Sequence, residues 1–168
     1  KRLALEPYEY AQSLAVAPDG WRFVLGAAWS LRLFGRDGTE LWKLKTPGPT
    51  WAANVSGDGR LVVAAYGDGT IRWHRLSDGQ ELLALYPHPD YPHPDRQRWV
   101  LWTFQGYYTA SPGGEDLIGW QVNRGQDEAP EFFTASHFRD RFHRPDVIDL
   151  TLQELDVAKA VARASKQP

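Results

Sequence analysis

With 168 residues, the chain has room for one ordinary domain with a real core. Its 19 Lys and Arg against 21 Asp and Glu give a formal charge of -2, without the basic excess that general nucleic-acid or membrane-surface binding needs. The absence of Cys removes disulfides, thiolate nucleophiles and Cys-based zinc sites and is compatible with a cytoplasmic setting, and no apolar run approaches the ~18 residues of a membrane span.

Residues 1–10, with Leu3 and Leu5, read as an outer strand leading into the first of several repeats. That repeat, over 11–46, opens with an apolar strand and turns at Pro18-Asp19-Gly20. Phe23-Val24-Leu25 and Leu31-Arg32-Leu33-Phe34 follow, and after Asp37-Gly38 the fourth strand starts at Thr39-Glu40-Leu41-Trp42. The second repeat, over 50–86, matches it step for step. It has Gly57-Asp58-Gly59, Leu61-Val62-Val63-Ala64, Ile71-Arg72-Trp73-His74, Asp78-Gly79 and Gln80-Glu81-Leu82-Leu83. Asp19 to Asp58 is 39 positions and Asp37 to Asp78 is 41. Four short strands per ~40 residues, punctuated by turns that need positive φ, describe a propeller blade.

A divergent third repeat occupies 97–135, with Gly106 aligned to Gly59 and Trp120 to Trp73 at an offset of 47. Its predicted strands are 99–102, 107–110, 117–122 and 131–133. The connection before it duplicates Tyr-Pro-His-Pro-Asp from Tyr86 to Asp95, and its four prolines predict an extended surface loop. The last part, 136–168, holds an aromatic-basic latch, Phe138 to Pro145, and one helix opened by Asp146 or Pro145 and running to about Ala164. Ile148, Leu152, Leu155, Ala158 and Ala162 would form its apolar stripe.

The fold class that follows is mainly β: a partial propeller of about three four-stranded blades with a C-terminal α-helix. Three blades make an open arc, and the chain begins at Lys1 without Met. The expected partner is therefore protein, first of all a missing part of the same polypeptide that completes the ring, and second another copy of the chain. The first two repeats resemble WD-repeat blades. Their Gly-His and Trp-Asp dipeptides are missing, so the buried His–Asp–Ser/Thr network of such blades lacks its usual residues. The stretch 99–146, WVLWTFQGYYTASPGGEDLIGWQVNRG followed by FRDRFHRPD, is similar to the C-terminal end of bacterial WD-repeat proteins, several of which carry a caspase-like protease domain. That resemblance implies a regulatory propeller attached to an effector, with the protease residues elsewhere.

No catalytic residue, metal or cofactor is assigned. His88, His93, Asp90 and Asp95 sit on a Pro-rich loop, a poor frame for zinc. Ser111, His137 and Asp116 lack the strained elbow of a nucleophile. His74 reads as a local packing residue, and the eight tryptophans read mainly as core. The candidate contact residues are Trp51 and Trp102, near the ends of inner strands, together with Phe138, Arg141, Phe142 and Arg144 of the latch. Phe138 and Phe142 would insert into a groove, and single-stranded nucleic acid is the disfavoured alternative for the arginines, since Asp140 interrupts the charge. The leading expectation is a non-catalytic interaction module. The alternative is a propeller enzyme with a funnel site completed by missing blades.

Overall fold

The structure, a computed structural model, describes residues 3, 5–89 and 97–166. It divides into two units, Lys1–Ala84 and Leu85–Pro168. In the first unit each of the two regular repeats is an antiparallel meander. Strands β1 (Ala11–Val16), β2 (Arg22–Ala27), β3 (Ser30–Gly35) and β4 (Glu40–Lys45) lie side by side in chain order. Strands β5 (Thr50–Val55), β6 (Leu61–Tyr66), β7 (Ile71–Arg75) and β8 (Glu81–His88) do the same. The Asp-Gly turns close as their composition predicts: Asp19 accepts from the Trp21 N–H at 2.8 Å while Gly20 takes φ 68°, and Asp58 with Gly59 repeats the arrangement.

Side chains alternate across each sheet, and the pairing register shows which row faces which way. The row Ala15, Val24, Leu33 and Trp42 points towards the second blade. There Ala17, Val24, Leu31 and Leu33 bury against Val62, Ala64, Tyr66 and Leu76. Two polar bonds lock the layers: the Trp42 indole N–H donates to the Leu76 carbonyl at 2.8 Å, and the Ser13 hydroxyl donates to the Thr50 carbonyl at 3.0 Å. The two sheets thus stack as neighbouring blades, with β5 against β1 and β2. The next rows of the first blade, Val16–Phe23–Phe34 and Leu14–Leu25–Arg32, face the other way.

Each blade also carries an arginine in its third strand. Arg72 donates from Nε to the Thr70 hydroxyl at 2.9 Å and from its two terminal nitrogens to Glu81 and Asp68, each at 2.9 Å. Asp68 in turn accepts from the Thr70 N–H and hydroxyl. Forty positions earlier Arg32 makes the same bonds to Ser30 and Glu40, at 2.9 and 3.1 Å, but Ala28 stands where Asp68 should be. Glu9 supplies the missing carboxylate from outside the blade. Fully buried, it pairs with the Arg32 guanidinium and accepts from the Ser30 hydroxyl. Burial opposes its ionisation, but the Ser30 hydroxyl, the Glu6 N–H and Arg32 together hold its carboxyl below the usual range.

An outer strand is the expectation over 1–10. Among the described residues there, Glu6 to Glu9 form a turn in which the Glu9 N–H donates to the Glu6 carbonyl at 3.0 Å and Tyr8 takes φ 64°.

In the second unit residues 85–88 of β8 are followed in strand order by β9 (Arg98–Trp102) and β10 (Tyr108–Ala110). The strand runs through Pro87, inside the segment predicted as loop, because one proline removes only one donor from the ladder. The rest of the duplicated segment, with Asp90, His93 and Asp95, lies outside the described residues. Strand β11 (Gly119–Val122) pairs with β12 (Glu131–Thr134) in a separate ladder, so the strands of the third repeat divide into two groups. Leu117, predicted as strand, ends a 3-10 turn at Gly114–Leu117.

The single predicted helix is broken in two. A short helix α1 (Arg139–Phe142) precedes α2 (Pro145–Glu154) and α3 (Val157–Ala164). Leu155 leaves the helix at φ 52°, and the Asp156 carboxylate caps α3 by accepting from the Lys159 N–H at 3.0 Å. The break resets the helical phase. Val147 and Leu150 bury against Val157, Ala160 and Ala164, whereas Ala158 and Ala162 of the predicted stripe are exposed.

Replacing Glu9→Ala is expected to destabilise the first blade by about 3 kcal/mol, since it leaves Arg32 buried with one partner fewer. Adding Ala28→Asp, which restores the local acid of the second blade, should recover at least half of that loss. Native-state amide exchange at Leu31 and Leu33 measures both effects.

Candidate interaction surface

The hydrogen bonds of the first unit gather three large aromatic residues at one end of the blades, where β1 and β5 begin and β2 and β6 finish. Tyr10, Trp29 and Trp51 are 58%, 45% and 58% exposed. The Ala28 N–H donates to the Tyr10 carbonyl at 3.1 Å, and the Thr46 N–H donates to the Trp29 carbonyl at 3.2 Å. The Thr50 hydroxyl reaches the Ser30 carbonyl at 3.4 Å, joining the neighbours of Trp29 and Trp51.

Trp51 stands out of its strand for a definite reason. The register of β5 on β6 steps from Thr50↔Tyr66 to Ala52↔Ala65, which leaves Trp51 as the extra residue of a β-bulge. The first blade has the same irregularity between Ala11 and Ser13, with Gln12 as its extra residue. A bulge turns one side chain out of the alternation, and only the second blade places an indole there. The loop behind it is tightly seated: the Gly67 N–H donates to the Pro49 carbonyl at 2.8 Å. A Cβ at Gly67 would fall 2.6 Å from Pro49 Cδ and 3.4 Å from Trp51 Nε1. Asp68, Thr70 and Arg72 hold that turn from beneath.

His74 completes the support and has the local role its strand position predicts. Its Nδ1 lies 3.2 Å from the Gly79 carbonyl, which only accepts, so Nδ1 carries the proton. Its Nε2 then accepts from the Tyr66 hydroxyl at 2.9 Å. Burial pushes the imidazole below its ordinary pKa, with Glu81 pulling the other way, and burial pushes the Tyr66 hydroxyl up.

The expected core role holds in part: Trp42 and Trp102 pack against buried clusters, and four other tryptophans do not. None of the eight is among the buried residues, and Trp21, Trp29, Trp51 and Trp99 are exposed. The space between the blades is filled mainly by Val, Leu and Ala with Tyr66, and Trp42 packs against this cluster from its partly buried edge.

In the second unit Phe138 and Phe142 pack around Trp120, with ring centroids 6.0 and 4.4 Å from it. Phe138 also meets Phe133 at 5.5 Å. Arg141 is exposed, its guanidinium 5.1 Å from the Phe142 ring, and Arg144 donates to Asp146 at 2.6 and 2.8 Å. Trp102 is half-buried beside Val100 and Tyr108. Sequence reasoning singled out Trp51 but not Tyr10 or Trp29, and the only cue to them is their place just before a strand or in its turn. Among the described residues no group of three His, Asp or Glu is placed to hold a metal ion, and no helix is long and apolar enough to cross a membrane.

Because the folded state disfavours protonation of His74, its contribution is full above about pH 6.5, the unfolded value, and falls as the unfolded chain takes up a proton below it. Protection factors in β6 and β7, corrected for intrinsic exchange, should therefore fall between about pH 6.5 and 5, by up to about tenfold per pH unit for one proton. His74→Gln should flatten that dependence.

No protein-family model matches this sequence, and no curated protein does. Among solved structures, the chain is similar to the crystal structure of RRP9 WD40 repeats, with a TM-score of 0.44 and 14% identity. It is similar also to BamB from Moraxella catarrhalis, with a TM-score of 0.43 and 16% identity. These matches cover 64% and 60% of this chain but only 40% and 34% of the other two, so the chain spans well under half of either. By its own topology the fold is mainly β, with consecutive four-stranded antiparallel blades stacked as in a propeller and short helices towards the C-terminus.

Proposed function

We propose that the chain is a non-catalytic interaction segment of a propeller, one side of which is covered by a further blade belonging to the same polypeptide. The observation that carries this reading is the face of β1 turned away from the second blade. Leu14 and Val16 are 61% and 63% exposed there, in rows continued by the half-buried Phe23 and the buried Leu25 and Phe34. On the opposite side of the same sheet the equivalent rows are buried against a blade. An apolar sheet face beside an already buried one fits a partner built like its neighbour.

The exposed aromatic rim of Tyr10, Trp29 and Trp51 is the surface we assign to an outside protein partner, since large rigid side chains give contact area at low entropic cost. Arg141 is the member of the latch we add to it. The resemblance of 99–146 to the ends of bacterial WD-repeat proteins extends the proposal to a cytoplasmic bacterial signalling or effector protein whose caspase-like protease the propeller regulates. The -2 charge argues against nucleic acid as the partner.

Hydroxyl-radical footprinting tests the covered face. In the native polypeptide Leu14 and Val16 should be labelled at least fivefold more slowly than in the 168-residue chain. The paired change Leu14→Lys, Val16→Lys should lower the melting temperature of the native polypeptide while shifting the short chain by ~0.5 kcal/mol or less, as exposed substitutions do. Equal labelling in the two proteins would refute the covering blade.

A further inference from the structure

We infer that the first blade carries a docking cleft for an indole, beside Arg36, and that the blade covering its free face fills this cleft with a tryptophan of its fourth strand. The second blade shows the same place occupied. Its Leu76 carbonyl accepts from the Trp42 indole N–H at 2.8 Å. Two residues further along β4, Leu44 packs on Gly79, where a Cβ would fall 3.1 Å from Leu44 Cδ1. Leu76 and Gly79 are buried, and Val55 and Val62 join Trp42 in the cluster between the blades.

Matching hydrogen bonds identify the equivalent backbone of the first blade. The Leu76 N–H donates to the Arg60 carbonyl at 2.8 Å, and the Arg75 N–H to that of Gln80 at 2.9 Å. In the first blade the Arg36 N–H donates to Trp21 at 2.7 Å, and the Gly35 N–H to Thr39 at 2.9 Å. Arg36 thus stands where Leu76 does and Gly38 where Gly79 does, while the pair Val16–Phe23 stands where Val55–Val62 does. There Arg36 is exposed and Gly38 half-buried, and Trp21, Arg36 and Asp37 line an open cleft of about 540 Å³. Among the described residues no group donates to the Arg36 carbonyl.

The filled copy of the site selects the occupant: a flat apolar body with one N–H for the carbonyl. Leucine or phenylalanine would fill space and donate nothing. Lysine or arginine would bring a second positive charge beside the Arg36 guanidinium, which lies 5.2 Å from the Trp21 ring. A second copy of this chain does not supply the indole in that register. Its next fourth strand has Leu83 where the first has Trp42, and Trp42 is itself engaged within the chain. The occupant is therefore a blade of different sequence, with Trp and Leu spaced as in Trp42-Lys43-Leu44. This assignment rests on the reading of a covering blade and gives it a specific contact.

The probe is an acetylated and amidated peptide with the sequence of 40–45, titrated into the full 15N-labelled chain. A control peptide carries benzothienylalanine for tryptophan, which keeps the ring shape and lacks the N–H. Saturable shifts of the Arg36, Asp37 and Gly38 amides are expected, with Leu76 unmoved because Trp42 already holds its carbonyl. The control peptide should bind severalfold more weakly. Trp21→Ala, a change at a residue 65% exposed, should weaken binding about fivefold. Unmoved signals over 36–38 at millimolar peptide, equal affinity of the control peptide, or unchanged affinity in Trp21→Ala would each overturn the cleft. The labelling of Leu14 and Val16 in the native polypeptide decides the covering blade separately, so failure of the cleft leaves that reading standing.

Discussion

A four-stranded sheet one layer thick has two faces and can bury neither by itself, so everything in this fold depends on blade-on-blade packing. The register of β1–β4 sends Ala15, Val24, Leu33 and Trp42 to one side, and the second blade answers with Val62, Ala64, Tyr66 and Leu76. That contact carries the hydrophobic gain of the first unit. It also sets the spacing at which Trp42 reaches the Leu76 carbonyl and Ser13 reaches that of Thr50. The other side of the first blade carries the rows Val16–Phe23–Phe34 and Leu14–Leu25–Arg32, and on it Leu14 and Val16 stand exposed.

The polar interior is built on the same repeating logic with different residues. Where a WD-repeat blade uses His, Asp and Ser or Thr, these blades place Arg on the third strand, bonded to Ser or Thr two positions earlier and to Glu at the start of the fourth strand. The second blade completes the set with Asp68, from its own turn. The first has Ala28 there and takes Glu9 from the preceding segment instead, so the sequence before β1 is tied to the blade by a buried ion pair. His74 and Tyr66 add a neutral pair in the second blade, where the first blade has Phe34 and Gly26 forty positions earlier.

The blades were legible because their signals are local: Asp-Gly turns, strand-length apolar runs and a period near 40 residues all act within a few positions. The buried place of Glu9 was not legible, since what holds it is an arginine more than twenty positions away. Nor was the break at Leu155, because the spacing of Leu152, Leu155 and Ala158 satisfies a continuous helix as well as a broken one, and only the Asp156 cap decides. Of the candidate contact residues, Trp51 owes its exposure to a bulge, a feature of pairing that one strand's sequence does not reveal. Phe138 and Phe142 both meet the ring of Trp120, and Phe138 that of Phe133 as well.

The mutual dependence of the blades is best tested by Leu33→Ala followed through native-state hydrogen exchange of the whole first unit. Truncating this buried leucine is expected to remove about 2–5 kcal/mol. If the blades hold each other up, the opening free energies of β2–β3 and of β6–β7 will fall together and by the same amount. Loss of protection confined to β1–β4, with β6 and β7 unchanged, would contradict the account.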